Sequence, residues 1–195
     1  MHEESVLKFL KLSEQLKCNT RHCETSSGRK ESVAEHCFRL VLFAWLLKDD
    51  FPDLDMEKVM HMCLIHDMGE AVTGDIPCFE KTDEARAVEG SEIRNIAEML
   101  DGSRRQEFLN LHREMDENVT EEARLFHVLD KMEAVIQHNE SDLSTWLPLE
   151  YDLQMTYGVE EAREFAVTGK LRDLVLEESR KKIMEKERKI EKAGV

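Results

Sequence analysis

MHMCLIHDMGEAVTGDIP, residues 60–77, opens on an apolar run and turns polar at His66-Asp67. Met60, Met62, Cys63, Leu64 and Ile65 form the apolar run of a helix expected over 56–68, with Asp55 as its N-cap and Gly69 near its end. EAVTGDIP, residues 70–77, then reads as a partly irregular turn punctuated by Gly74 and Pro77. An imidazole and a carboxylate delivered side by side from an apolar helix call for a partner, because a buried charge left unpaired is costly.

Two other segments share this character. Upstream, Ser32 and Glu35 form an S-x-x-E capping box for a helix running to about Asp49, which sets His36 in its first turn. Downstream, Leu125–Ile136 is apolar on most sides, yet Asp130 sits at its centre. His36, His66, Asp67 and Asp130 together offer two imidazoles and two carboxylates from three helices. That donor set suits one divalent first-row cation (Mn²⁺, Co²⁺, Fe²⁺, Ni²⁺ or Zn²⁺, with Mg²⁺ also admissible). The spacing between the His-Asp pair and Asp130 is not diagnostic alone, since only tertiary folding can bring them together.

The remaining pattern is helical throughout. Amphipathic stretches are expected over 4–17, 84–100, 103–117, 120–140, 148–156 and 160–192, with a polar loop over 18–31 and no strand signal. The expected architecture is an all-α bundle over 1–160 with a charged helical extension of the same domain over 161–195. The last part of that extension is expected to be solvated. Phe43 and Trp45 read as core, whereas Trp146, in a loop, is open to a ligand-pocket or subunit role.

With 195 residues, 41% of them hydrophobic, the chain can bury a substantial core. A net charge of −15 argues against a general nucleic-acid binder, which needs a broad basic surface. The first 30 residues are mildly basic, six Lys or Arg against four Glu, so a small anion could be received there. Five cysteines show neither a CxxC pair nor a disulfide framework, and no apolar run approaches bilayer length. A cytoplasmic protein away from membranes is expected.

The strings E-S-V-A-E-H (31–36), H-D-M-G-E-A-V-T-G-D-I-P (66–77) and L-D-K-M-E-A (129–134) resemble the HD-domain metal-dependent phosphohydrolases. The branch they resemble most holds the bacterial 5′-deoxyribonucleotidases and their eukaryotic HD-domain relatives. The likeness runs over roughly residues 5–157, and the extended H-D-x-x-E-x-x-x-G-D-[IL]-P string makes it specific. It implies an HD-domain helical bundle with the metal site in its core, His36, His66, Asp67 and Asp130 being the ligands. It also implies Glu70 as the carboxylate beside the activated water and Asp75 as the second acidic residue. Glu70, four residues past His66, is expected on nearly the same helical face.

The resemblance further implies a nucleoside 5′-monophosphate as substrate and a homodimer as the assembly. Where the deoxyribonucleotidases carry an Arg-Trp pair, this chain has Arg21 and His22. Arg21 retains a guanidinium fork for phosphate, but His22 cannot supply the bulk that crowds a sugar 2′ position. Lys131 is a further candidate for a phosphate or carboxylate contact. His112 and His127 are the histidines available for a second metal between the His-Asp pair and Asp130, and neither lies in a recognisable motif. Two other readings keep parts of this pattern: a phosphodiesterase or pyrophosphohydrolase of a signalling nucleotide, and a non-catalytic metal-binding module.

Overall fold

The computed structural model describes residues 2–193. The first amphipathic stretch divides into α1 (His2–Ser13) and α2 (Gln15–Cys18). The polar segment after it is not a plain loop. It forms a two-stranded sheet, β1 (Thr20–Glu24) and β2 (Lys30–Ser32), closed by a turn in which Thr25 N donates to Arg29 O and Gly28 adopts φ 78°. These strands are too short and polar for an alternating pattern, which is why the sequence carried no signal for them.

α3 (Val33–Leu47) starts at the expected capping box: Ser32 Oγ accepts from Glu35 N, and Glu35 Oε2 accepts from Ser32 N at 2.9 Å. α4 (Met56–Ile65) is capped by Asp55, whose Oδ1 accepts from Lys58 N at 3.0 Å. The expected single helix over 56–68 ends early, at Ile65. His66–Gly69 tighten into a 3₁₀ turn, and α5 (Glu70–Thr73) follows before Gly74 turns the chain at φ 76°. The remaining helices are α6 (Asp83–Ala97), α7 (Gly102–Glu117), α8 (Glu121–Glu140), α9 (Pro148–Thr156), α10 (Val159–Ala162) and α11 (Ala166–Ala193). The fold class is all-α, as the sequence led one to expect.

Two compact units divide the chain, Met1–His22 with Glu31–His127 and Cys23–Lys30 with Val128–Val195. In the first, Leu16, Val33, Cys37, Met68, Ala71, Ile93, Ile96, Ala97 and Phe108 form one buried cluster. This core explains Gly69. A Cβ there would stand 2.7 Å from Glu89 Cγ and 3.4 Å from Ile93 Cδ1, so only glycine lets α6 close on the 3₁₀ turn. One face of α3 stays outside the core: Phe38, Leu42, Trp45 and Leu46 are exposed. Trp45 is therefore not the core residue expected of it, because α3 turns its other face, Val33, His36, Cys37, Leu40 and Ala44, inward.

In the second unit Trp146 is buried. Its Nε1 donates to Ser141 Oγ at 2.9 Å and its ring meets Tyr151 edge-on, so it serves packing rather than a ligand or subunit contact. α11 is anchored through Ser179, whose hydroxyl bonds Asn139 Oδ1 at 2.8 Å. Arg172, 2% exposed, donates from Nη2 to Gln154 O (2.8 Å) and from Nε to Tyr157 O (3.2 Å), satisfying carbonyls left over at the end of α9. Arg172→Met should lower unfolding free energy by about 3 kcal/mol, because it orphans two buried carbonyls; urea denaturation checks this. Beyond Lys186 most side chains of the expected solvated end lie outside the described residues. Among the described residues no helix is long and apolar enough to cross a membrane.

Candidate metal centre

His36 stands on the first turn of α3, fixed by the capping box and 1% exposed. His66 and Asp67 open the 3₁₀ turn. Each of the three offers one ligand atom, and these atoms all lie within 4.8 Å of one another. Asp67 Oδ2 is 3.0 Å from His66 Nε2 and 3.9 Å from His36 Nε2, with the two rings meeting edge-on at 5.3 Å.

The tautomer of His66 follows from its neighbour. Nδ1 lies 3.0 Å from Cys63 O, and a carbonyl only accepts, so the proton belongs on Nδ1. Nε2 then carries the lone pair, on the side facing Asp67 and His36. A backbone carbonyl behind a liganding imidazole is the arrangement metal sites use to orient the ring. Two imidazoles and a carboxylate converging in this way fit a divalent cation.

The acidic residues beyond the trio lie close by. Glu70 begins α5 directly after the 3₁₀ turn, is buried, and leaves Oε2 without a hydrogen-bond partner. Its position beside the trio comes from the tightened turn, not from the shared helical face that spacing alone led one to expect. Burial, reinforced by the charges of Asp67 and Asp75, pushes its carboxyl up to about 9. Asp75, half-buried in the turn after α5, is also raised by burial, against the opposing pull of Arg21. A cation among these carboxylates would reverse both shifts.

Arg21 and His22 lie on β1. Arg21 Nε is 3.6 Å from the buried Glu31 Oε2, and the His22 ring stands edge-on to Phe79 at 5.4 Å. Asp130 and Lys131 lie on α8, in the second unit. Lys131 Nζ donates to Glu161 Oε1 at 2.5 Å and sits 5.7 Å from the Tyr157 ring centre, so it has taken a carboxylate partner. His127 is engaged through Nε2 by Met115 O at 2.9 Å.

Two residues of this region went unnoticed in the sequence. Lys81 lies 3.8 Å from Glu70 Oε1 and pairs with Glu89. Both sit in an ordinary charged stretch, and nothing in their spacing marks them. His112, read in the sequence as available to a second metal, is buried on α7 with its ring 4.5 Å from Phe108. Burial first, then the nearby His66, lowers its pKa to about 4. The folded protein thus keeps this imidazole neutral where the unfolded chain binds a proton below about 6.5. Its stabilising contribution is complete above that value and is lost as pH falls towards 4. Urea unfolding at pH 7 and pH 4.5 should show a drop that shrinks by about 2–3 kcal/mol in His112→Leu.

The chain matches the HD domain family over residues 13–170. It is 31% identical to the human protein named 5′-deoxynucleotidase HDDC2 over 140 residues, 70% of this chain and 68% of that one. A zebrafish (Danio rerio) protein of the same name is 30% identical, covering 70% of each chain. Among solved structures, a predicted metal-dependent phosphohydrolase from Magnetospirillum magnetotacticum MS-1 superposes with a TM-score of 0.79 at 21% identity, covering 93% of this chain and 94% of that one. At that identity the likeness speaks for the fold. The chain belongs to the HD-domain family. The expected class, a hydrolase enzyme of the metal-dependent phosphohydrolase type, holds, and a divalent metal is the cofactor that family and donor set support.

Proposed function

We propose that the protein hydrolyses nucleoside 5′-monophosphates to nucleoside and phosphate, with His36, His66, Asp67 and Asp130 holding one divalent cation. The observation that carries this reading is the convergence of His36, His66 and Asp67 beside a buried carboxylate, Glu70. Asp130, in the L-D-K-M-E-A string, is the fourth ligand that the family resemblance implies. The human and zebrafish relatives, named as 5′-deoxynucleotidases, support the substrate class.

When bound, the cation supplies Lewis-acid stabilisation of the phosphoryl group and acidifies the attacking water. Glu70 accepts the proton of that water through Oε2 and orients its approach to phosphorus. Asp75, within electrostatic reach of Glu70, relays a proton to the departing 5′-oxygen. Arg21 receives phosphate oxygens with its guanidinium, whose field already reaches Asp75. Lys131, paired with Glu161, is retained as a candidate phosphate contact.

His22, smaller than an indole, leaves room at the sugar 2′ position, so ribo- and deoxyribonucleotides are both accepted. The test is phosphate release from a panel of both series with Mn²⁺, Co²⁺ or Mg²⁺. Hydrolysis of neither series defeats the proposal, and release of pyrophosphate or of a diester product moves it to another bond.

A second copy of the chain fits the exposed apolar face of α3. Phe38, Leu42, Trp45 and Leu46 follow i, i+4, i+7, i+8 spacing, and a contiguous apolar stripe of that kind marks an interface. Light scattering should give a dimer for the wild type and a monomer for Trp45→Glu with Phe38→Ser. A reducing compartment such as the cytoplasm suits the five free cysteines.

A further inference from the structure

Lys81 lies between Pro77 and the start of α6, and its ammonium is drawn into the acidic cluster. Nζ pairs with Glu89 Oε2 and stands 3.8 Å from Glu70 Oε1, within ion-pair reach though beyond a hydrogen bond. The Lys81 and Glu89 side chains are each 18% exposed, and Glu70 is 6%. Glu89 reaches this place because Gly69 has no side chain: its Cγ occupies the position a Cβ on residue 69 would need. The row of charges is therefore built into the closest approach between α6 and the 3₁₀ turn. Burial acts to lower the pKa of Lys81, but the hydrogen bond and charge of Glu89, followed by the charge of Glu70, hold it above the ordinary value.

We propose that Lys81, itself held by Glu89, is a positioning residue for Glu70. Its charge draws Oε1 to one side, which leaves Oε2, buried and without a protein partner, as the oxygen that meets the attacking water. The inference rests on Glu70 being the proton acceptor. A direct role on phosphate is disfavoured, because two carboxylates already lie around Nζ. An ammonium fixed between them restrains a carboxylate whose neighbours Asp67 and Asp75 would otherwise repel it. Fixing the groups that orient reacting side chains is worth about 10–100-fold in comparable supporting contacts.

The test uses the metal-loaded full chain carrying Lys81→Met, Glu89→Gln or Lys81→Arg. The Met variant should lose about 10–100-fold in kcat with KM within about threefold of wild type. Glu89→Gln should lose less in the same direction, and Lys81→Arg should recover most of the loss while keeping the charge. A raised KM at unchanged kcat would assign Lys81 to phosphate and overturn the proposal, as would unaltered kinetics. A readout free of turnover is the ¹⁵N spectrum of lysine ammonium groups in the metal-free protein. The Lys81 signal should be protected from exchange in the wild type and lost in Glu89→Gln. Its absence from the wild type would refute the positioning role whatever the activity. A protected signal in a protein that hydrolyses no phosphate ester would instead remove the hydrolase reading, and this role with it.

Discussion

Glu70→Gln lowers kcat by about 10²–10⁴-fold, the contribution expected of a positioned general base, and leaves metal affinity nearly unchanged. The carboxamide keeps the shape of the side chain but cannot take a proton from water. The same substitution has an opposite effect on stability. In the metal-free protein, burial and the charges of Asp67 and Asp75 push the Glu70 carboxyl from its ordinary value near 4.5 up to about 9. The folded state then holds a proton that the unfolded chain has released at neutral pH. Stability from this group is full below about 4.5 and declines as pH rises towards 9. The Gln variant removes that slope, so chelated Glu70→Gln should melt above chelated wild type at pH 8. Calorimetry on both proteins, paired with phosphate release from the loaded forms, measures the two effects together. A variant that is both active and no more stable would remove Glu70 from the site.

Asp67→Ala should have the larger effect on activity. Asp67 is the member of the trio that faces both imidazoles, at 3.0 and 3.9 Å, so its loss opens the ligand set from the middle. A bound cation is worth several kcal/mol to phosphoryl transfer, and each 1.4 kcal/mol is tenfold in rate. A fall of about three orders of magnitude or more follows, together with loss of tight metal binding by calorimetric titration. The fold should survive. Asp67 is half-buried, and its removal relieves repulsion on Glu70 and Asp75. An EDTA-treated wild type should reproduce the activity loss and recover on adding Mn²⁺ or Co²⁺, whereas the Ala variant should not recover.

These residues differ in how plainly the sequence announced them. His36 was legible because a capping box is a local device: Ser32 and Glu35 fix where α3 begins, and the first-turn position of His36 follows at once. His66 and Asp67 stood out as polar side chains ending an apolar run. The geometry around them was not legible. The change from α-helix to 3₁₀ turn at His66 is tied to the approach of α6 over Gly69, a contact twenty residues away in sequence. Helical periodicity therefore brought Glu70 to the right neighbourhood for the wrong reason. Lys81 and Glu89 escaped notice for the same cause, since their charge acquires meaning only once α6 has packed. The β1–β2 hairpin was missed because its strands are short and polar, while Trp45 and Trp146 exchanged expected places. Which face of α3 turns inward, and whether a loop tryptophan finds a hydrogen-bond partner, are both set by tertiary packing.

The central claim concerns a single cation held by four side chains, and anomalous scattering from crystals grown with Mn²⁺ or Co²⁺ tests it most directly. The expected result is one peak within coordination distance of His36 Nε2, His66 Nε2 and carboxylate oxygens of Asp67 and Asp130. A peak bound elsewhere, or none at saturating metal, would contradict it.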